Sequence, residues 1–543
     1  MSIRNVSVAL LGLALSTLIL APATPARAGG FFFSDRGTRP AGRGFAFVAG
    51  ADDPQALHYN PAGLAYSGQQ LLLDVSFTWF RGQYTRVDSG GNTLPTINLD
   101  TIPLPIPGIA YSHPLSDDLT LGVGLLVPNA LLGDYPNGVT SDGGRCNPDT
   151  DPGCQPAPQR YSLYSLAGTA LVQLDTALAW RPHPRVSIGA GLGVLVGNFN
   201  AEVGLSACDN AICAQRENPD FDARASMSLE RFWDLAPHVG VILDFEKIRL
   251  GAALRFYPRG IQGTAQLRVR LPRDPFFDGA AVDGDRANVD IPLPVVFRMG
   301  AEVRLFDRLR LEAAFVWERW SRQQQIAIRP NNVTLTNVTA IGDYAVGALN
   351  IRRDMNDTLS LRIGGELSVA DGLLDLRAGL SFESSGFDNR TLTVMTIDTR
   401  KVILGIGGSL QVTDGLYLDA AYAHVFMQNR TVTDSAVQQP NGIRPPISGA
   451  DAVYIGNGRY EWSADMFAVG LRYQFGAGAP VEPGTVDAAD GEGHDNPEAQ
   501  PAPAAEVQPQ AEPAPEPEAA PEPEAAPAPP PPRARGRQRA RQR

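Results

Sequence analysis

From residue 69 to residue 475 the chain repeats one pattern: a stretch in which every second residue is apolar, a connection, then another such stretch. Leu71, Leu73, Val75, Phe77 and Trp79 fall on one face, and Asp74, Ser76 and Thr78 on the other. Side chains of an extended strand point alternately to opposite sides, so a period of two gives each strand one apolar and one polar face. The pattern predicts about fourteen strands: 69–82, 103–113, 119–130, 161–182, 186–203, 233–245, 248–261, 292–306, 309–321, 358–370, 373–383, 400–412, 415–428 and 459–475.

The connections decide what the strands build. They alternate between short (113–118, 182–185, 244–247, 306–308, 370–372, 413–415) and long (83–102, 131–160, 204–232, 262–291, 322–357, 384–399, 429–458). Tight turns at one end and long loops at the other are the mark of an outer-membrane barrel, whose short turns face the periplasm. The polar faces carry charge, including Arg310, Glu312, Arg377 and Arg472. A closed soluble core would have to pair each one, whereas a barrel with a polar interior accommodates them. Tyr473 and Phe475 suit an aromatic girdle. No apolar run after the leader reaches the roughly 18 residues of a membrane helix. The expected fold is therefore all-β: a transmembrane antiparallel barrel in the outer membrane of a Gram-negative cell, spanning 67–475.

What flanks the strands differs in kind. Residues 1–28 read as a signal peptide: Arg4, an apolar run at 8–20, and Ala26-Arg27-Ala28 as the cleavage site. Residues 476–543 are rich in Pro, Ala and Glu and end in alternating arginines from Arg533 to Arg543. Such a segment cannot bury a core and is expected to be a disordered periplasmic tail, its basic tip suited to an anionic surface such as peptidoglycan or to a periplasmic partner. The net charge of -12 and the absence of a basic face in the body argue against nucleic acid as a partner.

Between leader and strands lies 42–65, GRGFAFVAGADDPQALHYNPAGLA. Small, Gly- and Ala-rich residues cannot form a core of their own but can fill a space that something else encloses. Residues 29–66 are therefore expected to form a hatch that plugs the barrel lumen. The four cysteines, Cys146, Cys154, Cys208 and Cys213, fall in long polar loops. In an oxidising compartment the spacing suggests Cys146–Cys154 and Cys208–Cys213, although four cysteines admit three connectivities. Their spacing and the lack of nearby histidines argue against a metal site, and no cofactor is expected.

The hatch and strand order together resemble the FadL family of outer-membrane transporters for long-chain fatty acids, which includes the TodX-like importers of aromatic hydrocarbons. Arg43, Asp52, Asp53 and Asn60-Pro61-Ala62-Gly63-Leu64 look like the family's N-terminal hatch. LPIPGIAYSHPLSDDLTLGVGLLVPNAL (104–131) resembles its second and third strands, and FVWERWS (315–321) and 388–400 resemble later phrases. The resemblance implies passive transport by a monomer that the barrel-assembly machinery inserts. An apolar cargo is captured outside, held in a pocket, and released sideways among the outer-membrane lipids through an opening at a kink in the third strand. Gly122, Gly124 and Pro128 are the candidates for that kink, since Pro cannot donate to a ladder and Gly marks bends. Phe31, Phe32 and Phe33 are candidates for the inner pocket. The polar, cysteine-bearing loops and the long tail depart from the family pattern.

Other readings have less support. The six histidines (His58, His113, His183, His238, His424 and His494) are scattered, and no H-x-x-x-H or G-x-S-x-G phrase occurs, so an enzyme is not expected. GAGLGVLVG (189–197) lacks the Lys-Ser/Thr of a phosphate loop and reads as barrel wall. A general diffusion porin would have no Asn-Pro-Ala-Gly-Leu plug. A structural or adhesive surface barrel would show the same strands without transport.

Overall fold

A computed structural model describes residues 35–100, 103–127, 134–208, 213, 215, 217–306, 308–396, 398–442 and 452–476. The leader, Phe31–Phe33, Pro128 and the tail lie outside them.

The strands close into a ring of fourteen: β1 (Gln70–Arg86), β2 (Leu104–Pro114), β3 (Leu119–Leu126), β4 (Ala170–His183), β5 (Val186–Ser206), β6 (Asp222–Asp244), β7 (Ile248–Arg255, continued by Ile261–Arg270), β8 (Arg286–Ile291, then Val296–Leu305), β9 (Leu309–Glu318, continued by Gln325–Pro330), β10 (Leu349–Arg352, then Thr358–Val369), β11 (Leu374–Glu383), β12 (Lys401–Thr413), β13 (Leu416–Met427) and β14 (Gly458–Gln474). Each pairs antiparallel with its sequence neighbours. β14 pairs with β1 along its whole length, from Gln70↔Gln474 to Arg86↔Gly458, so the first and last strands close the ring. The expected barrel and strand number are borne out.

The outer face explains why these residues alternate. Trp180, Leu192, Ile363, Leu380, Ile406 and Phe467 stand outward and exposed, as a wall facing hydrocarbon requires. Their neighbours point in. In the half of the lumen nearer the short turns the inward residues are charged: Glu302, Glu312, Glu366, Arg377 and Asp419 are all buried. In the other half they are apolar, among them Leu195, Phe199, Met227, Ile261 and Ile328. A polar lumen was expected, and the lower storey has one.

Several boundaries differ from those expected, for one physical reason. The sixth strand starts at Asp222 rather than near 233. The expected loops 262–291 and 322–357 contain Ile261–Arg270, Arg286–Ile291, Gln325–Pro330 and Leu349–Arg352, which prolong the wall. Above the hydrocarbon layer the outside of the barrel is water, so the pattern inverts. Ile261, Ala265 and Leu267 point in, while Gln262, Arg268 and Arg270 point out. An inverted strand has the period of two but the wrong face apolar for a lipid-facing search. The fourth strand begins at Ala170, not near 161, after Gly168 turns the chain at φ 81°. The remaining loop residues form two small three-stranded sheets, and disulfides join Cys146–Cys154 and Cys208–Cys213 with Cα atoms 5.8 and 5.4 Å apart.

Leu380→Arg places a charge on the lipid face and is expected to destabilise the barrel by about 2–4 kcal/mol in vesicles, read by denaturant titration. Arg268→Leu, on the wall above the membrane, is expected to change stability by less than about 0.5 kcal/mol.

Candidate functional site

Residues 35–69 lie within the lower storey and are buried along most of their length. They form α1 (Thr38–Gly42), α2 (Ala56–Tyr59) and a 3₁₀ turn (Pro61–Tyr66). None is long enough to stand alone. Contacts with the wall hold them.

Asn60 shows how closely the segment is fitted. Its side-chain oxygen accepts from Ala62 N at 3.2 Å, and its amide donates to Val48 O (3.0 Å) and to Val241 O on β6 (3.2 Å). Pro61 opens the turn, where a missing N–H costs nothing. A Cβ on Gly63 would lie 1.8 Å from Ala51 O, so no larger residue fits. Leu64 packs against β3 at Gly122. The wall makes matching room: a Cβ on Gly189 would meet Ala62 N at 2.2 Å, and one on Gly379 would meet the Arg43 carbonyl at 2.1 Å. Of the glycines in 189–197, Gly189 is where this segment touches β5, while Gly191, Gly193 and Gly197 make room for side chains and backbone of the neighbouring wall strands.

Charge does the rest. Arg43, fully buried, donates to Glu302 (3.0 Å) and Glu312 (3.1 Å). Glu312 also accepts from the backbone N–H groups of Val48, Ala49 and Gly50 at 2.6–3.0 Å. Arg39 reaches Asp52 (3.0 Å), Asp53 (2.8 Å) and Glu366 (3.2 Å). Phe47 lies between the guanidinium groups of Arg39 and Arg43, at 5.4 and 5.5 Å. Burial alone would raise the Asp52 carboxyl, but Arg310, at 2.7 Å, and Arg39 hold it well below the usual carboxylate range. The buried charges are thus matched across two layers of the structure, so removing one partner strands the other.

Two openings adjoin this sealed storey. Above it lies an apolar cavity of about 120 Å³, walled by Leu171, Phe199, Met227, Ile291 and Ile326 among others. It shares Val203, Met227, Ile328 and Met395 with an upper vestibule of about 710 Å³. The cavity has one polar end, where Lys401 pairs with Glu383 and with Asp398 (2.8 Å), Trp320 donates to Glu318 (2.7 Å), and Arg353 stacks on Phe387 at 5.0 Å. Among the described residues, β3 pairs with β2 over Ile109–Pro114 and with β4 up to Leu126↔Gln173, while Leu104–Gly108 pair with β1 and Ala170–Val172 with β5. A small recess is lined by Arg36, Tyr59, Ile106, Leu126 and Val127, and Arg36 Nε donates to Val127 O at 3.2 Å. Gly122 and Gly124 sit in the regular ladder just below, beside Leu64 and Leu57.

The structure thus brings Arg43, Asp52, Asp53 and residues 60–64 together in the lower lumen. Arg39, Glu302, Glu366, Arg353 and Lys401 were not singled out from sequence. The acidic partners of Arg43 lie more than 250 residues away, at Glu302 and Glu312, and the alternation marks them only as inward-facing. Arg353 lies in a loop just after the strand Leu349–Arg352, where no alternation marks it.

A ring of fourteen strands with a lipid-facing apolar band and a sealed polar lower lumen defines an outer-membrane β-barrel protein. The chain belongs to the family described as outer membrane protein transport protein (OMPP1/FadL/TodX), whose profile matches residues 165–475. It is similar to the 47 kDa outer membrane protein of Pasteurella multocida (strain Pm70), at 22% identity over 148 residues, 27% of this chain and 31% of that protein. The match thus spans about a third of that relative's length. Among solved structures it resembles a Pseudomonas aeruginosa FadL homologue (TM-score 0.61, 16% identity, 83% of this chain and 100% of that one). It also resembles the Pseudomonas putida toluene transporter TodX (TM-score 0.56, 16% identity, 82% and 100%).

Arg43→Met is expected to weaken seating of residues 35–69 by about 3–5 kcal/mol, since Glu302 and Glu312 lose their buried cation. Raised ion conductance in planar bilayers and protease cleavage within 35–69 would report it, with the barrel still heat-modifiable on gels. Gly379→Val is expected to give the same leak by sterics alone.

Proposed function

We propose that this chain is a passive outer-membrane transporter of hydrophobic compounds, long-chain fatty acids among the candidates. Cargo enters the vestibule, settles in the apolar cavity and leaves sideways between β2 and β4 into the membrane. Residues 35–66 act as the hatch that denies it a straight path down. The observation that carries this reading is the stacking of a largely apolar chamber on a lower lumen crossed by buried ion pairs.

The energetics agree with such a cargo. Each methylene that moves from water into the chamber contributes about 0.8 kcal/mol. Membrane hydrocarbon offers the same environment, so release through the wall costs little, and no energy source is needed. Phe31, Phe32 and Phe33, which shortly precede Asp35 in sequence, are assigned here to the pocket's release step. The arginine-ended tail is assigned to an anionic periplasmic partner. The lower lumen's packing weighs against an open diffusion pore.

Filling the chamber tests the proposal. Ala201→Trp is expected to cut uptake of labelled long-chain fatty acid or monoaromatic hydrocarbon at least about tenfold in cells whose barrel content is unchanged, because a bulky ring leaves no room for cargo. Uptake equal to the unmodified protein, or a steady large ion current through the unmodified protein, would overturn it.

A further inference from the structure

The hydrocarbon face of the wall carries a depression of about 740 Å³ across β7 to β11. That volume falls within the range of small-molecule sites, about 300–1,000 Å³. The strand register explains the hollow. One row across the outside reads Leu250, Ala301, Ala313, Ile363 and Leu380, and the row above it reads Ala252, Met299, Phe315, Leu361 and Phe382. Ala301 and Ala313 form a floor, and the larger side chains around them form its sides.

Apolar burial cannot choose an occupant here, because lipid tails are as apolar as leucine. The charges at the upper end of the groove can. Trp233 and Trp317 stand at the level where the outward residues cease to be apolar, as an aromatic girdle does. Arg259 is exposed, with its guanidinium over the Trp233 ring at 5.0 Å. Arg319 is exposed two residues beyond Trp317. Arg322 bridges β7 and β8 by donating to Tyr257 O (3.1 Å) and Leu293 O (3.3 Å), so its acceptors carry no charge. Among the described residues none of the three makes an ion pair. Asp357, beside Arg319, is already engaged by Trp317 Nε1 (3.1 Å) and Ser321 N (3.0 Å). Higher on the same outer wall Arg268 and Arg329 are also exposed without an ion pair. In a chain of net charge -12, such a run of unpaired cations on one sector is not the average surface.

Guanidinium forks match phosphate oxygens, and the long-loop end of the barrel faces the outer leaflet. We propose that the groove holds an acyl chain of a phosphorylated glycolipid of the outer leaflet, with the lipid's phosphate against Arg259, Arg319 and Arg322. The site is on the outer surface of the wall, so it does not depend on the transport reading above.

Native mass spectrometry of the full chain, released from detergent after incubation with an equimolar mixture of diphosphorylated lipid A, its dephosphorylated form and phosphatidylglycerol, reads the preference. The diphosphorylated adduct is expected to exceed each of the others about tenfold. Arg259→Gln with Arg319→Gln, checked for heat-modifiable barrels, is expected to lower it about 25-fold, roughly fivefold for each arginine near an anionic head group. Ala313→Phe fills the floor without charging the lipid face and is expected to lower it at least about fivefold while the barrel still assembles. Equal binding of dephosphorylated lipid A would overturn the proposal by removing the phosphate, and equal binding of phosphatidylglycerol by removing the glycolipid. An adduct unchanged in Ala313→Phe would overturn the groove as its seat. A dimer of the chain that Ala313→Phe dissociates would overturn it in favour of a contact between two copies.

Discussion

In the hydrocarbon layer a backbone amide has no water to bond with, and every unpaired N–H or C=O is costly. That constraint shapes the whole molecule. It requires β14 to meet β1 from Gln70 to Arg86, so that the first and last strands satisfy one another's backbone groups. It also requires every second residue of the wall to be apolar on the outside, which leaves the inward residues free to serve something else. The lower half uses that freedom for charge and the upper half for a largely apolar chamber.

Closure creates a second problem, because a ring of fourteen strands encloses more space than its own side chains fill. The N-terminal segment solves it with main chain. Small residues bring its backbone against wall glycines, and the polar groups so buried must find partners. Glu312 takes three N–H groups and Arg43 together, and Arg39 gathers three carboxylates. This segment is therefore fixed by directional, charge-assisted bonds, which set its register, rather than by apolar burial alone.

How much of this could be read from sequence follows from the range of each interaction. The strands were legible because lipid imposes its period of two on each stretch separately. The turn at Asn60-Pro61 was legible because its cap is local. The bond from Asn60 to Val241 was not, and neither were the partners of Arg43, because a period of two says which way a side chain points and nothing about what lies opposite. The strand extensions at Ile261–Arg270 and Gln325–Pro330 were read as loops because water above the membrane inverts the apolar face. Gln323 and Arg353, at the chamber's polar end, lie in loop residues just outside those strands, where no alternation marks them.

Residues 35–69 relate the two storeys to one another. Leu64 and Leu57 pack against β3 at Gly122 and Gly124, and Arg36 donates to the carbonyl of Val127. The charged side of the segment is matched to the lower wall, so an apolar molecule entering there would have to separate desolvated ion pairs. Under the transport reading proposed above, a cargo in the upper chamber meets that cost beneath it, whereas membrane hydrocarbon offers an apolar group an environment like the chamber's own.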